Sequence, residues 1–375
     1  MTEPMLPEGL VRPALDHVDP YQPGRPAGDL AREIGIADIV KLASNEGPLP
    51  PADAAQEAMA AALADLRVYP DPGAWDLRGA LAAHLDVPAG RIVVGNGVDS
   101  LIKLVCIAVL DPGDSLVMGW PSFPSWRQGA LTMGATPVLV PLAGDGAYDL
   151  AALQAAITDT TKLVVVVSPN NPTGGAVEPD ALTAFLDDLP DHVLPVVDEA
   201  YFEFMDDGAH DAVALTRGRR PLVVTRTFSK IYGLAGLRVG YMVAPPGLVE
   251  AVGRIRNVFD VNHMALVAAT ASVRDSDAIV SGRAAANRAE RERLAEGLRS
   301  RGHMPLPSQG NFVFFDAGSP ERAARLNELL LERGMIIRPT GGFGAPSGIR
   351  VTVGHPHEND RFLALLDEVV PLLPA

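Results

Sequence analysis

Lys230 closes the run Thr227-Phe228-Ser229-Lys230, and Arg238 follows eight positions later in Gly233-Leu234-Ala235-Gly236-Leu237-Arg238. An amine set among hydroxyls, glycines and a guanidinium suits imine formation with an aldehyde that also carries a phosphate. The amine attacks the carbonyl while the hydroxyls and the arginine hold the dianion. Arginine cannot take the amine's place, because its guanidinium stays protonated. The chain has only Lys41, Lys103, Lys162 and Lys230 to offer. Lys103 lies among Leu101, Ile102, Leu104 and Val105, and Lys41 and Lys162 each abut an apolar run, so stems laid along apolar surface account for those three. Lys230 alone leaves both readings open, and its company decides.

Three further segments end apolar, strand-like runs. Ser168-Pro169-Asn170-Asn171-Pro172-Thr173-Gly174 follows the run from Leu163 to Val167. It reads as an ordinary turn or as a rigid one in which Asn171 bonds a phenolic oxygen. Val197-Asp198-Glu199-Ala200-Tyr201 puts an acid where it can pair with a protonated ring nitrogen, which makes a pyridinium an electron sink. A metal at Asp198 and Glu199 is disfavoured, because no histidine or further carboxylate follows at a suitable spacing. Phe123, in Trp120-Pro121-Ser122-Phe123, is either core or a stacking partner for a flat ring. Gly95-Asn96-Gly97-Val98-Asp99-Ser100 joins a strand to a helix, so the free amides of Val98 and Asp99 and the helix dipole favour an anion. With Thr227, Ser229 and Arg238 they would form a dianion pocket. Neither the Gly-x-Gly-x-x-Gly dinucleotide pattern nor a Gly-x-x-x-x-Gly-Lys phosphate loop is present.

The elements that must position these residues alternate. From about residue 90, short apolar runs and amphipathic stretches succeed one another, which predicts an α/β fold with a mainly parallel sheet covered by helices on both faces. Ligands collect at the carboxyl ends of strands in such sheets. Later segments predict a small α+β region: a helix from Ser281, strands at 311–314, 335–337 and 349–353, a helix at 321–333 and a last helix from about Glu358. The expected division is residues 1–44 as an amino-terminal arm and part of the small domain, 45–280 as the large domain, and 281–375 as the small domain.

The 375 residues, with 47% apolar content, can fill a large core and a smaller companion. A formal charge of −15 and a pI near 4.9 argue against a nucleic-acid surface and leave a small molecule as the expected partner. Cys106 is the only cysteine, which excludes an intramolecular disulfide and points to the cytoplasm. No apolar stretch reaches the roughly 20 residues that span a bilayer, and Met1-Thr2-Glu3-Pro4 is acidic, so a soluble, untargeted protein is expected.

Taken together, Tyr21-Gln22-Pro23-Gly24, Lys41-Leu42-Ala43-Ser44-Asn45-Glu46, Tyr69-Pro70-Asp71, Asn170-Asn171-Pro172-Thr173-Gly174, Asp198-Glu199-Ala200-Tyr201, Arg226-Thr227-Phe228-Ser229-Lys230, Leu234-Ala235-Gly236-Leu237-Arg238-Val239-Gly240, Asn311-Phe312-Val313 and Ile349-Arg350-Val351-Thr352-Val353-Gly354 resemble fold type I pyridoxal-phosphate aminotransferases. Within these, the resemblance is to the histidinol-phosphate aminotransferase branch and its aromatic amino acid relatives. It covers nearly the whole chain and implies a seven-stranded sheet and pyridoxal 5'-phosphate as cofactor. It also implies that Lys230 carries the imine link, Asp198 pairs with the ring nitrogen, and Asn171 and Tyr201 bond the phenolic oxygen. Phe123 stacks on the ring, and Val98, Asp99, Thr227, Ser229 and Arg238 hold the phosphate.

By the same resemblance, Arg350 grips the substrate's α-carboxylate, Arg338 is a second arginine of this branch, and Tyr21 and Asn45 join the substrate site. Tyr69 reaches the partner's cofactor in a homodimer. The expected reaction joins histidinol phosphate and 2-oxoglutarate to imidazole acetol phosphate and glutamate. Aromatic amino acid (phenylalanine) transamination is the runner-up, and decarboxylation on the same scaffold is a third reading. Two departures stand out: Phe123 replaces a common tyrosine, and Gly47 a common asparagine. Arg256, Asn262 and His263 are either substrate side-chain contacts or surface and helix-entry residues. No metal is expected.

Overall fold

The computed structural model of the chain describes residues 9–20, 22–206, 209–218 and 221–374. Its main sheet has seven strands: β1 (Ile92–Gly95), β2 (Ser115–Trp120), β3 (Thr136–Pro141), β4 (Thr161–Val167), β5 (Leu194–Asp198), β6 (Val223–Thr227) and β7 (Gly240–Val243). Their order is β1-β7-β6-β5-β4-β2-β3. Only β7 runs against its neighbours, so the sheet is mainly parallel, as expected. Val164, Val165, Val196, Val197, Val223 and Val224 are buried because helices cover both faces.

Strand β3 was not predicted. Pro137 and Pro141 within it lack the N–H that an interior strand must donate, and the strand sits at the sheet's edge, where that loss is tolerated. Helices α1 (Val98–Val109) and α2 (Pro124–Met133) follow β1 and β2. Strand β1 points the same way as β2 to β6, so Gly95, Trp120, Val167, Asp198 and Thr227 all end at one edge, beside the amino termini of the helices.

A second core forms around three antiparallel strands, Phe312–Asp316, Gly348–Thr352 and Arg338–Pro339, backed by the helices Pro320–Leu331 and Pro356–Val369. Val313, Phe315, Leu326, Ile349, Val351 and Phe362 pack there. Since successive strand residues alternate in direction, Ile349 and Val351 face this core while Arg350 and Thr352 turn the other way, toward the main sheet.

Two expectations change in detail. Met335–Ile336 does not join the three-stranded sheet; it pairs in parallel with Val40–Lys41, fastening the segment before Leu42 to the second core. The helix expected from Ser281 begins at Ser276 and runs to Arg299. Its first turn is held to the large core by the 2.8 Å bond between Ser276 and Tyr232. Ile279 packs on that core, and Leu294 and Leu298 pack on the second. Residue 280 therefore lies inside a continuous helix. Among the described residues, no helix is long and apolar enough to cross a membrane.

Candidate active site

The carboxyl edge of the main sheet and the inner face of Gly348–Thr352 enclose one cavity, and Lys230 projects into it. Its Nζ donates to Ser44 O at 3.2 Å and lies 5.6 Å from the centre of the Tyr201 ring. Burial pulls the amine down to about 8 from an ordinary 10.5; Arg350 and Arg238 assist, while Glu46 and Asp99 oppose. A lysine so tuned supplies neutral amine near physiological pH. Gly47 presses on this segment, because a Cβ there would meet Lys230 O at 3.2 Å.

Asp198 ends β5 and is buried, with Oδ2 accepting from Trp126 Nε1 at 2.9 Å. Its Oδ1 is also buried and has no hydrogen-bond partner. Burial pushes the carboxyl up to about 6, opposed first by the Trp126 bond. Sequence reasoning missed Trp126. It lies three positions after Phe123 in α2, one helical turn on, where a buried indole N–H requires an acceptor. Phe123 precedes the first turn of α2 and lines the cavity.

At the cavity's far end, Gly97 has φ +74° and starts α1, bringing Val98 and Asp99 to the cavity with Thr227, Ser229 and Arg238. Ser229 N donates to Thr227 Oγ1 at 3.1 Å, and Arg238 Nη1 to Ser229 Oγ at 3.4 Å. Arg238 adopts φ +57°, a left-handed conformation that a bulky side chain keeps only where its surroundings enforce it. A Cβ on Gly97 would lie 2.5 Å from Arg238 Nη2, so this cradle exists because residue 97 has no side chain. Asp99 stands 3.6 Å from Arg238 and accepts from Ser125 at 2.8 Å.

Arg338 and Arg350 are direct cross-strand partners, which explains why both guanidinium groups reach the same cavity. Arg350 is buried, donates to Asn171 Oδ1, and lies 5.3 Å from the Phe343 ring. Arg338 donates to Gln22 O at 2.7 Å and lies 5.2 Å from the same ring. Both sit within cation–π range of the Phe343 ring.

The family profile described as Aminotransferase class I and II matches residues 37–366. The chain belongs to the class I and II aminotransferases. Within that family it is 43% identical over 357 residues to histidinol-phosphate aminotransferase 1 of Cupriavidus pinatubonensis, covering 94% of both chains. It is also 43% identical over 363 residues to the histidinol-phosphate aminotransferase of Anaeromyxobacter sp., covering 96% of this chain and 99% of the relative. A solved histidinol-phosphate aminotransferase from Sinorhizobium meliloti, in complex with pyridoxal-5'-phosphate, superimposes with a TM-score of 0.89 at 30% identity, over 97% of this chain and 98% of that one. The fold is that of the fold type I aminotransferases.

In this aminotransferase, Lys230, Asp198, Tyr201, Asn171, Phe123, Val98, Asp99, Thr227, Ser229, Arg238, Arg338 and Arg350 all line the same cavity. Asn45 lies beneath Tyr201, bonded to its hydroxyl at 2.9 Å. Tyr69 is 78% exposed, stacks on Phe259 at 4.4 Å, and does not line its own chain's cavity. Tyr21 falls outside the described residues. Arg256 donates to Pro72 O at 3.1 Å, Asn262 caps the helix His263–Arg274 by accepting from Ala265 N at 2.8 Å, and His263 borders a different surface groove. Among the described residues, no group of three or more His, Cys, Asp or Glu side chains could hold a metal.

The residues fit a pyridoxal phosphate. An amine of lowered basicity, a buried carboxylate oxygen lacking a partner and a glycine-made cradle beside two hydroxyls and an arginine are the three attachments that such a group requires.

Proposed function

We propose that the chain is a pyridoxal 5'-phosphate-dependent aminotransferase that exchanges the amino group of histidinol phosphate with 2-oxoglutarate, giving imidazole acetol phosphate and glutamate. The observation that carries this reading is the convergence of Lys230, the buried carboxylate of Asp198 and two paired arginines on one cavity. Near 43% identity to histidinol-phosphate aminotransferases over almost the whole chain supports the substrate.

When bound, the cofactor supplies an electrophilic carbonyl and a ring that withdraws electrons from the reacting carbon. Lys230 then has two tasks. Its amine, lowered to about 8, would hold the cofactor at its carbonyl carbon, and as a free base it would move the proton at the substrate's α-carbon. Asp198 would hold the proton on the ring nitrogen, while Asn171 and Tyr201 would donate to the phenolic oxygen. Thr227, Ser229, Arg238 and the amides of Val98 and Asp99 would hold the phosphate, and Phe123 would cover the ring.

Arg350 and Arg338 receive the substrate's anionic group, because planar guanidinium groups meet a carboxylate or a phosphate with paired hydrogen bonds. That versatility suits a site which admits glutamate in one half-reaction and a phosphate ester in the other. Tyr69, remote from its own cavity, serves the partner's site in a homodimer, and the enzyme works in the cytoplasm. Residues 45–280 form the large domain and 281–375, with the arm 1–44, the small one, and the helix Ser276–Arg299 runs from the first into the second. Comparing kcat/KM for histidinol phosphate and phenylalanine on one preparation tests the substrate. A large preference for histidinol phosphate is expected, and a large preference for phenylalanine would replace this reading with the aromatic one.

A further inference from the structure

Asn45 does not line the cavity, yet it is 1% exposed and bonded on every side. Its N–H donates to Thr352 Oγ1 at 3.0 Å, and its Oδ1 accepts from the same hydroxyl at 3.1 Å. Its carbonyl accepts from Asn311 Nδ2 at 3.1 Å, and its Nδ2 donates to Tyr201 OH at 2.9 Å. Three separate stretches of chain thus fix one amide.

The residue type is dictated by this arrangement. Asn45 has φ +55°, a conformation that glycine, asparagine and aspartate adopt with least strain. Glycine has no side-chain donor for Tyr201, and an ionised aspartate only accepts. Asparagine alone of the three combines the backbone with a donor.

A parallel arrangement stands beside it. Thr352 and Arg350 lie two residues apart on one strand and therefore face the same way. Arg350 donates to Asn171 Oδ1, which leaves the Asn171 amino group as that side chain's donor. Thr352, through Asn45, sends a donor to the Tyr201 oxygen, so that bond takes up a lone pair and not the phenol's proton.

We propose that Asn45 is a positioning residue that orients the Tyr201 hydroxyl as a donor toward the cofactor's phenolic oxygen, with Thr352 holding the Asn45 amide. Thr352, on the strand Gly348–Thr352 of the second core, thereby acts on Tyr201 through Asn45. This inference rests on the assignment of Tyr201 to the cofactor proposed above.

The test is a titration of the holoenzyme's visible absorbance against pH, which reports the ionisation of the cofactor chromophore without turnover. A donor to the phenolic oxygen favours its ionised form, so removing the donor raises the midpoint. One hydrogen bond corresponds to a shift on the order of one pH unit. Y201F sets the full shift. In N45D the carboxylate takes the Tyr201 proton for itself, so a comparable upward shift is expected, and N45D/Y201F should titrate like Y201F alone. An unmoved midpoint in N45D, or a shift that adds to that of Y201F, overturns the inference. An unmoved midpoint in Y201F instead overturns the assignment of Tyr201 on which it rests. Should N45D not fold, T352V supplies the same comparison: a smaller upward shift that disappears in the Y201F background is expected, and no shift overturns the proposal.

Discussion

Trp126 Nε1 donates to Asp198 Oδ2 at 2.9 Å, and both side chains are buried. The bond fixes one carboxylate oxygen against helix α2 and favours the ionised acid, against the burial that raises its pKa. Hydrogen bonds to charged groups contribute roughly 1.5–3 kcal/mol, which corresponds to about one to two pH units of carboxylate acidity. W126F should therefore raise the acid limb of cofactor binding by about that amount, read as the dissociation constant of pyridoxal phosphate against pH. A limb unmoved by W126F would show that Asp198 is oriented by something else.

Asp198 also contributes to the pH dependence of the apoprotein's stability. Its carboxyl titrates near 6 in the folded chain, above its ordinary 3.8. As pH rises through that interval, the unfolded chain releases its proton first and folding becomes less favourable. The contribution is fully present below about pH 4 and lost by about pH 6. Thermal melts of apoprotein should show D198N with a flatter dependence than wild type across this window, and parallel curves would contradict the assignment.

Lys230 has the opposite sign. Its amine titrates near 8, below 10.5, with burial first and Arg350 next among the causes that lower it. Reconstitution of apoprotein with pyridoxal phosphate should accelerate with pH around a midpoint near 8. R350Q should move that midpoint upward and raise KM for glutamate on the order of 100-fold, since losing a charged hydrogen-bond partner costs about 2–3 kcal/mol. An unchanged midpoint in R350Q would remove Arg350 from the control of the lysine.

The cradle for the phosphate depends on Gly97. In G97A the new Cβ would lie 2.5 Å from Arg238 Nη2 at a φ of +74°. Cofactor affinity should fall more than 10-fold, the equivalent of about 1.4 kcal/mol, as measured by equilibrium dialysis. Unchanged affinity would mean that the phosphate sits elsewhere.

Much of this site was legible in the chain because its chemistry is local. Lys230, Thr227 and Ser229 share one turn, and Asp198 and Tyr201 bracket one strand end, so short motifs carry their relation. Valine-rich runs revealed the buried strands. What escaped depended on distant partners. Strand β3 hides behind Pro137 and Pro141, which are tolerated only because the sheet ends there. Trp126 meets Asp198 across 72 positions of sequence, and Asn45 meets Thr352 across 307, separations that no local pattern encodes. The pairing of Val40–Lys41 with Met335–Ile336 is equally remote.

The central claim is that Lys230 alone forms the covalent bond to the cofactor. Borohydride reduction of the holoenzyme, followed by proteolysis and mass spectrometry of the peptides bearing Lys41, Lys103, Lys162 and Lys230, tests it most directly. The account predicts a pyridoxyl phosphate adduct on the Lys230 peptide and on no other. An adduct on any of the other three lysines, or unmodified Lys230 in cofactor-saturated protein, would contradict it.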